Sequence, residues 1–437
     1  MTSISVIGLG KLGLCLAVCY AERGFKVIGV DINDEVIDKV NAGKAPWFEP
    51  RLAELLAKHG GTNLQATNQH YRAINETDIT IILTATPSNP DGSFSNCYIE
   101  DALKALAESF KDKKAYHLFV ISSTVMPGSI GGFIDILEKH SGKAYNEQFG
   151  VAYDPDFVAL GNVIKGFLEP DLVVIGQSRP EVGDRIEALH HELCINKPAI
   201  NRMSLISAEM AKVCLNAYIT MKISFANTIG NLCEKIPNTD PDAITRAIGA
   251  DRRISPYYLQ SGLSFGGTCF GRDVKAFTAL TQKYDVDTGA VLMKTVNAIN
   301  RYQDKRLAEI VEGLAGKKST VGILGLSFTD NTPVIVESPA VKLIKILLDS
   351  EISVTVYDPL AMDNTRALFE NSVIYARSMQ ECLSADVCVV TLRSQKYKEA
   401  VETFIPKKSL TVVDCWRILN PAVLRDNKIR LIRLWAS

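Results

Sequence analysis

The chain has 437 residues, with 48 basic and 49 acidic side chains, so it is too long for one ordinary core and close to charge balance. That balance argues against a nucleic-acid or membrane-surface binder that works by bulk charge. The ten cysteines are scattered with no C-x-x-C pair, the six histidines show no ligand spacing, and no apolar run reaches membrane-spanning length. This composition predicts reduced thiols in a cytoplasmic protein, no metal site, no nucleic-acid or membrane partner and no cleaved leader.

Ile4 to Ile7 is a short apolar run that ends in Gly8-Leu9-Gly10-Lys11-Leu12-Gly13. A helical pattern follows to Arg23, Gly24 stops it, and a second strand over 26–30 ends in Asp31. Strand, G-x-G-x-x-G, helix, strand and acid in that order predict a dinucleotide site. The glycines let the backbone turn and approach a pyrophosphate at the helix N-terminus, and the acid accepts ribose hydroxyls. Asp31 would repel a 2′-phosphate, so the expected cofactor is NAD. Its expected contacts within the motif are Gly8, Gly10, Leu12, Gly13 and Asp31.

Strand-like runs follow at 63–67, 79–84, 118–122 and 149–153, mostly alternating with helical patterns. The alternation predicts a doubly wound parallel sheet with ligands beyond its carboxyl ends. Thr84-Ala85-Thr86-Pro87, Ser122 to Gly128 and Asp154-Pro155-Asp156-Phe157 all lie at such ends. Their hydroxyls and carboxylates suit cofactor or substrate, and equally ordinary turns. The adjacent His190 and His191 are expected on a solvated helix face.

A long helical pattern runs from 204 to 235. Lys212 and Asn216 are four apart and share a face. A buried lysine here is a candidate acid, base or oxyanion stabiliser; a lysine reaching to solvent is the alternative. The helix suits a dimer interface or a spine joining two domains. A short helix over 241–248 precedes Arg252, Arg253, Tyr257 and Tyr258, which are either surface or anion and ring contacts.

Phe265-Gly266-Gly267-Thr268-Cys269-Phe270-Gly271-Arg272-Asp273 comes next, with a helix expected over 272–284. Cys269 just before a helix N-terminus and beside Arg272 is a candidate thiolate nucleophile, against the alternative of a cysteine filling a tight turn. After 314 a second strand-and-glycine pattern begins, with strands at 320–324, 352–357, 387–391 and 410–413 and a helix over 339–348. It lacks a full G-x-G-x-x-G. The fold class expected is α/β: two Rossmann-like doubly wound domains (1–200 and 301–437) joined by a long-helix central domain (201–300).

These parts resemble the UDP-glucose/GDP-mannose 6-dehydrogenase family over essentially the whole chain. The carriers are the glycine motif with Asp31, Glu49-Pro50, Thr86-Pro87, Ser123-Thr124-Val125, Ala208-Glu209 with Lys212 and Asn216, the cysteine loop, and Glu337-Ser338-Pro339-Ala340. The resemblance implies oxidation of the C6 hydroxyl of an NDP-hexose to a carboxylate by two NAD. It implies Lys212 and Asp273 helping to remove the hydroxyl proton, Cys269 attacking the aldehyde, and Lys212 and Asn216 stabilising the oxyanion. Asp156 and Thr124 would then activate and hold the hydrolytic water, and Thr86, Thr124 and Arg272 would add contacts to NAD. Substrate contacts are expected from Lys212, Asn216, Arg253, Tyr258, Gly266 and Arg417, in a homodimer through the central helix. This chain departs from the family pattern at Asp156 and Leu160, where glutamates are usual, at Arg272 for lysine, and at Thr329 and Val336, which replace a lysine and an arginine. Arg253 and Arg417 are the expected substitutes for the last two. A two-electron dehydrogenase and a non-catalytic nucleotide-binding regulator are the alternatives.

Overall fold

The computed structural model describes residues 2–316 and 319–435. The chain forms two compact units, Met1–Leu215 and Asn216–Ser437, and the boundary falls inside the helix Leu205–Cys233.

Among the described residues, the first unit holds an eight-stranded sheet: β1 Ser3–Ile7, β2 Lys26–Val30, β3 Leu64–Thr67, β4 Ile79–Ile82, β5 His117–Ile121, β6 Phe149–Tyr153, β7 Leu172–Gln177 and β8 Ala199–Ser204. The order is β3-β2-β1-β4-β5-β6-β7-β8. The first six strands are parallel in the Rossmann order. Alternate residues of β5 feed two separate cores, Leu118 and Val120 one, Phe119 and Ile121 the other. Both faces are therefore covered, which is why these strands read as continuous apolar runs.

The expected strands are parallel as read, and two further strands, β7 and β8, run against them. β7 pairs antiparallel with β6, at Ala152↔Gln177 and Tyr153↔Gly176, and β8 runs parallel to β7. The link from β6 to β7 stays at the carboxyl end of β6 instead of crossing over, so the chain re-enters the sheet reversed. That link carries Asp154 and Asp156.

The second unit holds a six-stranded parallel sheet: β9 Thr320–Leu324, β10 Ser353–Tyr357, β11 Ile374–Tyr375, β12 Val387–Val390, β13 Leu410–Asp414 and β14 Ile429–Arg433, in the order β11-β10-β9-β12-β13-β14. This repeats the strand order of the first six strands of the other sheet. Its strands also divide their residues between two cores, Val387 and Val389 against Cys388 and Val390. The helices Phe270–Lys283 and Asp287–Leu314 precede this sheet, and Val274, Met293 and Val296 share a small core with Phe265 and Ala217.

Candidate active site

In the first unit the glycine motif is set by contacts less than an ordinary atom's width. Gly8 has φ +91°, and a Cβ there would lie 2.7 Å from the Leu83 carbonyl oxygen. A Cβ on Gly13 would lie 1.9 Å from the Gly8 carbonyl oxygen. Gly10 differs, because a Cβ there would meet nothing within 4 Å. No packing or backbone demand explains a glycine at that place; room for a ligand does. The helix Gly13–Glu22 opens at Leu12 with no side-chain cap and no acid in its first turn, so no side chain of its own competes with an anion there. Asp31 is held by the backbone N–H groups of Leu9 at 2.7 Å and Asn33 at 2.9 Å, one on each oxygen. Thr84 Oγ1, past the end of β4, is closed off and has no hydrogen-bond partner among the described residues. These features fit a dinucleotide. Thr86 is buried and Thr124 half-buried on the same strand ends, and Ser123 Oγ donates to the Thr84 carbonyl at 2.7 Å.

The rim after β6 is more heavily charged than expected. Lys212 is buried, which removes the solvent-reaching alternative; its Nζ donates to the Asp156 main-chain carbonyl and lies 4.7 Å from the Phe157 ring centroid. Burial, then the Asp154 charge, raise the Asp156 pKa to about 8, against the pull of Lys212 and His190. The expectation of a solvated His190 is wrong. His190 Nε2 sits 2.9 and 3.0 Å from the two oxygens of Asp154, while His191 is exposed. Adjacent residues lie about 100° apart around a helix, so the pair faces two environments. Two further carboxylates act as caps. Glu209 takes the N–H groups of Gly128 (2.7 Å) and Ile130 (2.9 Å) at the start of the helix Ser129–Ser141. Glu49 takes those of Gly161 (3.0 Å) and Val163 (2.9 Å). Burial raises the pKa of both against those bonds.

In the second unit Cys269 is exposed and is itself the cap of the helix Phe270–Lys283, which starts two residues earlier than the sequence suggests. The alternative of a buried turn-filling cysteine is thereby excluded. Asn216 Nδ2 donates to Asp273 Oδ2 at 2.5 Å, and Arg272 Nε lies 3.5 Å from Asp273 Oδ1. Asp273 is 1% exposed. The loop before Cys269 is clamped at Phe265, whose N–H donates to Asn300 Oδ1 (2.7 Å) and whose carbonyl accepts from Asn300 Nδ2 (3.0 Å). Gly266 and Gly267 are required by the neighbouring segment. A Cβ on Gly266 would lie 2.2 Å from the Glu337 carbonyl oxygen, and one on Gly267 (φ +84°) 2.6 Å from the Phe328 ring. The Gly267 N–H donates to the Val336 carbonyl at 2.9 Å. The segment that lost its expected lysine and arginine, Thr329 and Val336, thus holds the cysteine loop by backbone.

Arg417, expected as a substitute for those cations, is taken up by a carboxylate of its own chain. Its guanidinium is 5% exposed and forks onto Asp242 through two 2.7 Å bonds, with a third to the Ser261 carbonyl at 2.8 Å. Arg253 is 87% exposed and folded back on Asp251, in its own turn, at 2.6 Å. Tyr258 is exposed at φ +59°, edge-on to Phe270 with centroids 6.2 Å apart. Asn300 and His190 were not expected as site-forming residues, and Glu49 and Glu209 stood only among the motifs that carry the family resemblance, without a role. Asn300 had a signal, an amide on the apolar face of a long helix; His190 had none stronger than its residue type.

A dinucleotide loop in one Rossmann-like unit and an exposed thiol on a clamped glycine turn in another define a nucleotide-dependent oxidoreductase. Models of the UDP-glucose/GDP-mannose dehydrogenase family match in sequence: the NAD binding domain over residues 2–194, the central domain over 206–302 and the UDP binding domain over 322–421. The chain is 32% identical over 427 residues to the UDP-glucose 6-dehydrogenase AglM of Haloferax volcanii, covering 95% of this chain and 97% of that protein. It is 36% identical over 359 residues to a GDP-mannose 6-dehydrogenase of Pseudomonas syringae pv. tomato, covering 81% and 80%. The structure of a UDP-glucose dehydrogenase from Pyrobaculum islandicum aligns with TM-score 0.88 at 30% identity, over 100% of this chain and 98% of that one. The chain belongs to the UDP-glucose/GDP-mannose dehydrogenase family of NAD-dependent nucleotide-sugar 6-dehydrogenases. NAD is its cofactor. Among the described residues no helix is long and apolar enough to cross a membrane.

Proposed function

We propose that the chain oxidises the C6 hydroxyl of an NDP-hexose to the carboxylate through a thioester on Cys269. NAD, when bound, accepts a hydride in each of two oxidations. Lys212 and Asp273 remove the hydroxyl proton in the first. Cys269 Sγ then attacks the aldehyde carbon, and Lys212 and Asn216 carry the charge on its oxygen. After the second oxidation, Asp156 takes a proton from the water that Thr124 holds. That water attacks the thioester carbon, the C–S bond breaks and the uronate leaves. The observation that carries this reading is the exposed thiol at a helix cap, on a loop whose backbone is fixed at Phe265 and Gly267 and whose helix presents Asp273 to Asn216.

The relatives' names favour a UDP- or GDP-hexose as substrate. We assign NAD to residues 1–200, the cysteine chemistry to 201–300 and the nucleotide of the substrate to 301–437. A homodimer through the long helix is supported by the exposed Ile206, Met210, Tyr218, Phe225 and Leu232, spaced along one stripe of it. A dimer also gives the exposed Arg253 a second chain to act on. Ten free cysteines support a cytoplasmic site. The test is NADH release with UDP-glucose and GDP-mannose, wild type beside Cys269→Ser. Two NADH per sugar and no acid from the variant are expected. One NADH per sugar from wild type means a two-electron dehydrogenase; full acid production by the variant removes the covalent route.

A further inference from the structure

β6 delivers two carboxylates to one rim, Asp154 directly after its last residue and Asp156 two positions on. Two acids withdrawn from solvent this close oppose each other's ionisation. The helix Pro180–Leu193 supplies the counter-charge. His190 sets Nε2 3.0 Å from Oδ1 and 2.9 Å from Oδ2 of Asp154, and both side chains are only 12% exposed. Burial alone would drive the imidazole neutral. The Asp154 charge and hydrogen bond outweigh it and raise its pKa to about 10, so at neutral pH His190 is an imidazolium held on Asp154. Asp156 is left as the acid that titrates near the working range. Its Oδ2 is closed off and has no hydrogen-bond partner among the described residues. The charged or titratable groups facing this cluster are Lys212 from the helix Leu205–Cys233, Tyr20 from the helix Gly13–Glu22 and Cys194 at the end of the His190 helix.

We propose that His190 and Asp154 are positioning residues for the hydrolytic half of the reaction, acting through Asp156. The proposal rests on the Cys269 thioester reading. In the step they serve, the water oxygen bonds to the thioester carbon and the C–S bond breaks. One water proton passes to the Asp156 carboxylate, and Cys269 leaves as thiolate. No electrons change hands. The His190–Asp154 pair sets the charge that Asp156 feels and therefore the pH at which it becomes a base.

The two members push in opposite directions, which a merely structural pair does not. His190→Gln leaves the Asp154 charge uncompensated, so Asp156 holds its proton to higher pH. Asp154→Asn removes the largest charge that opposes Asp156 ionisation, and with it the smaller opposing charge of the imidazolium that Asp154 holds, so on balance Asp156 releases its proton at lower pH. The experiment is a single turnover of the full-length enzyme with NAD and UDP-glucose or GDP-mannose. Intact-protein mass spectrometry follows the acyl adduct on Cys269 from about pH 6 to about pH 10. In His190→Gln the rising limb of adduct decay is expected to move up by about one pH unit, a roughly tenfold slower decay at neutral pH, with the first NADH burst changed less than about twofold. In Asp154→Asn the limb is expected to move down, and His190→Arg, which keeps a cation, is expected to hold it near the wild-type position. Limbs that do not move, or that move the same way in His190→Gln and Asp154→Asn, overturn the proposal. A His190→Gln variant in which the first NADH burst falls as far as the decay rate also overturns it. A wild type that releases NADH but builds no Cys269 adduct overturns the thioester reading itself.

Discussion

Two glycines of one motif are glycine for different reasons, and alanine separates them. A Cβ on Gly13 would lie 1.9 Å from the Gly8 carbonyl oxygen, whereas a Cβ on Gly10 would meet nothing within 4 Å. Ordinary contact needs about 3.5 Å, so Gly13→Ala must part loop and helix by well over an ångström. Gly13 opens a helix, where alanine would otherwise gain about 1 kcal/mol. Overpacking costs about 1–3 kcal/mol, the upper end applying against unyielding backbone, so a net loss of about 2 kcal/mol is expected. Gly10→Ala has no such clash and is expected within about 0.5 kcal/mol of wild type. Added NAD reverses the ranking of interest. At NAD about 100-fold above its Kd, binding stabilises the wild type by about 2.7 kcal/mol; tenfold weaker binding leaves about 1.4 kcal/mol. We expect Gly10→Ala to lose at least that half, because its methyl fills the room meant for the pyrophosphate. Urea unfolding with and without NAD, beside a calorimetric NAD titration, measures both quantities. A Gly10→Ala protein that binds NAD as wild type does would refute the placement of the pyrophosphate over residue 10.

The dinucleotide motif was legible because its parts are contiguous: strand, turn, helix and Asp31 fall within 31 residues. The same holds for the cysteine loop, whose helix start was misjudged by two residues only. What the sequence withheld was the partner of each charged side chain. His190 meets Asp154 across 36 residues, Asn300 meets Phe265 across 35, and Arg417 meets Asp242 across 175. Residue type announces that such a group needs a partner; only the topology supplies the address. Arg417 illustrates this, since a buried arginine and a ligand-binding one look alike in sequence until the carboxylate appears. β8 was missed because its burial is only partial, as an edge strand's is, and it lacks the continuous apolar run of β5. β7 has such a run yet is also absent from the expected strands, and its reversal depends on which end of the sheet the preceding link keeps to.

Asn300→Ala strips the partners from both the N–H and the carbonyl of Phe265. Two buried orphaned groups predict a loss of about 2–4 kcal/mol in urea unfolding and faster thiol labelling of Cys269; unchanged labelling would show that the clamp does not hold the loop. Arg417→Ala is expected to lower stability by about 3–5 kcal/mol, because it leaves Asp242 half-buried without its forked partner. The same variant should change the acid limb of stability. Burial would raise the Asp242 pKa, but the Arg417 hydrogen bonds and charge outweigh it and hold the carboxyl below its ordinary value. A depressed folded pKa stabilises the fold above the unfolded pKa of about 3.9 and is lost as pH falls through the folded value. Wild type should therefore lose this contribution below about pH 4, whereas Arg417→Ala has already lost it at neutral pH. The gap between the two proteins should narrow on acidification. A gap that stays constant down to about pH 3 would mean that Arg417 stabilises through packing on the Trp435 ring, 5.4 Å away, and not through the Asp242 charge.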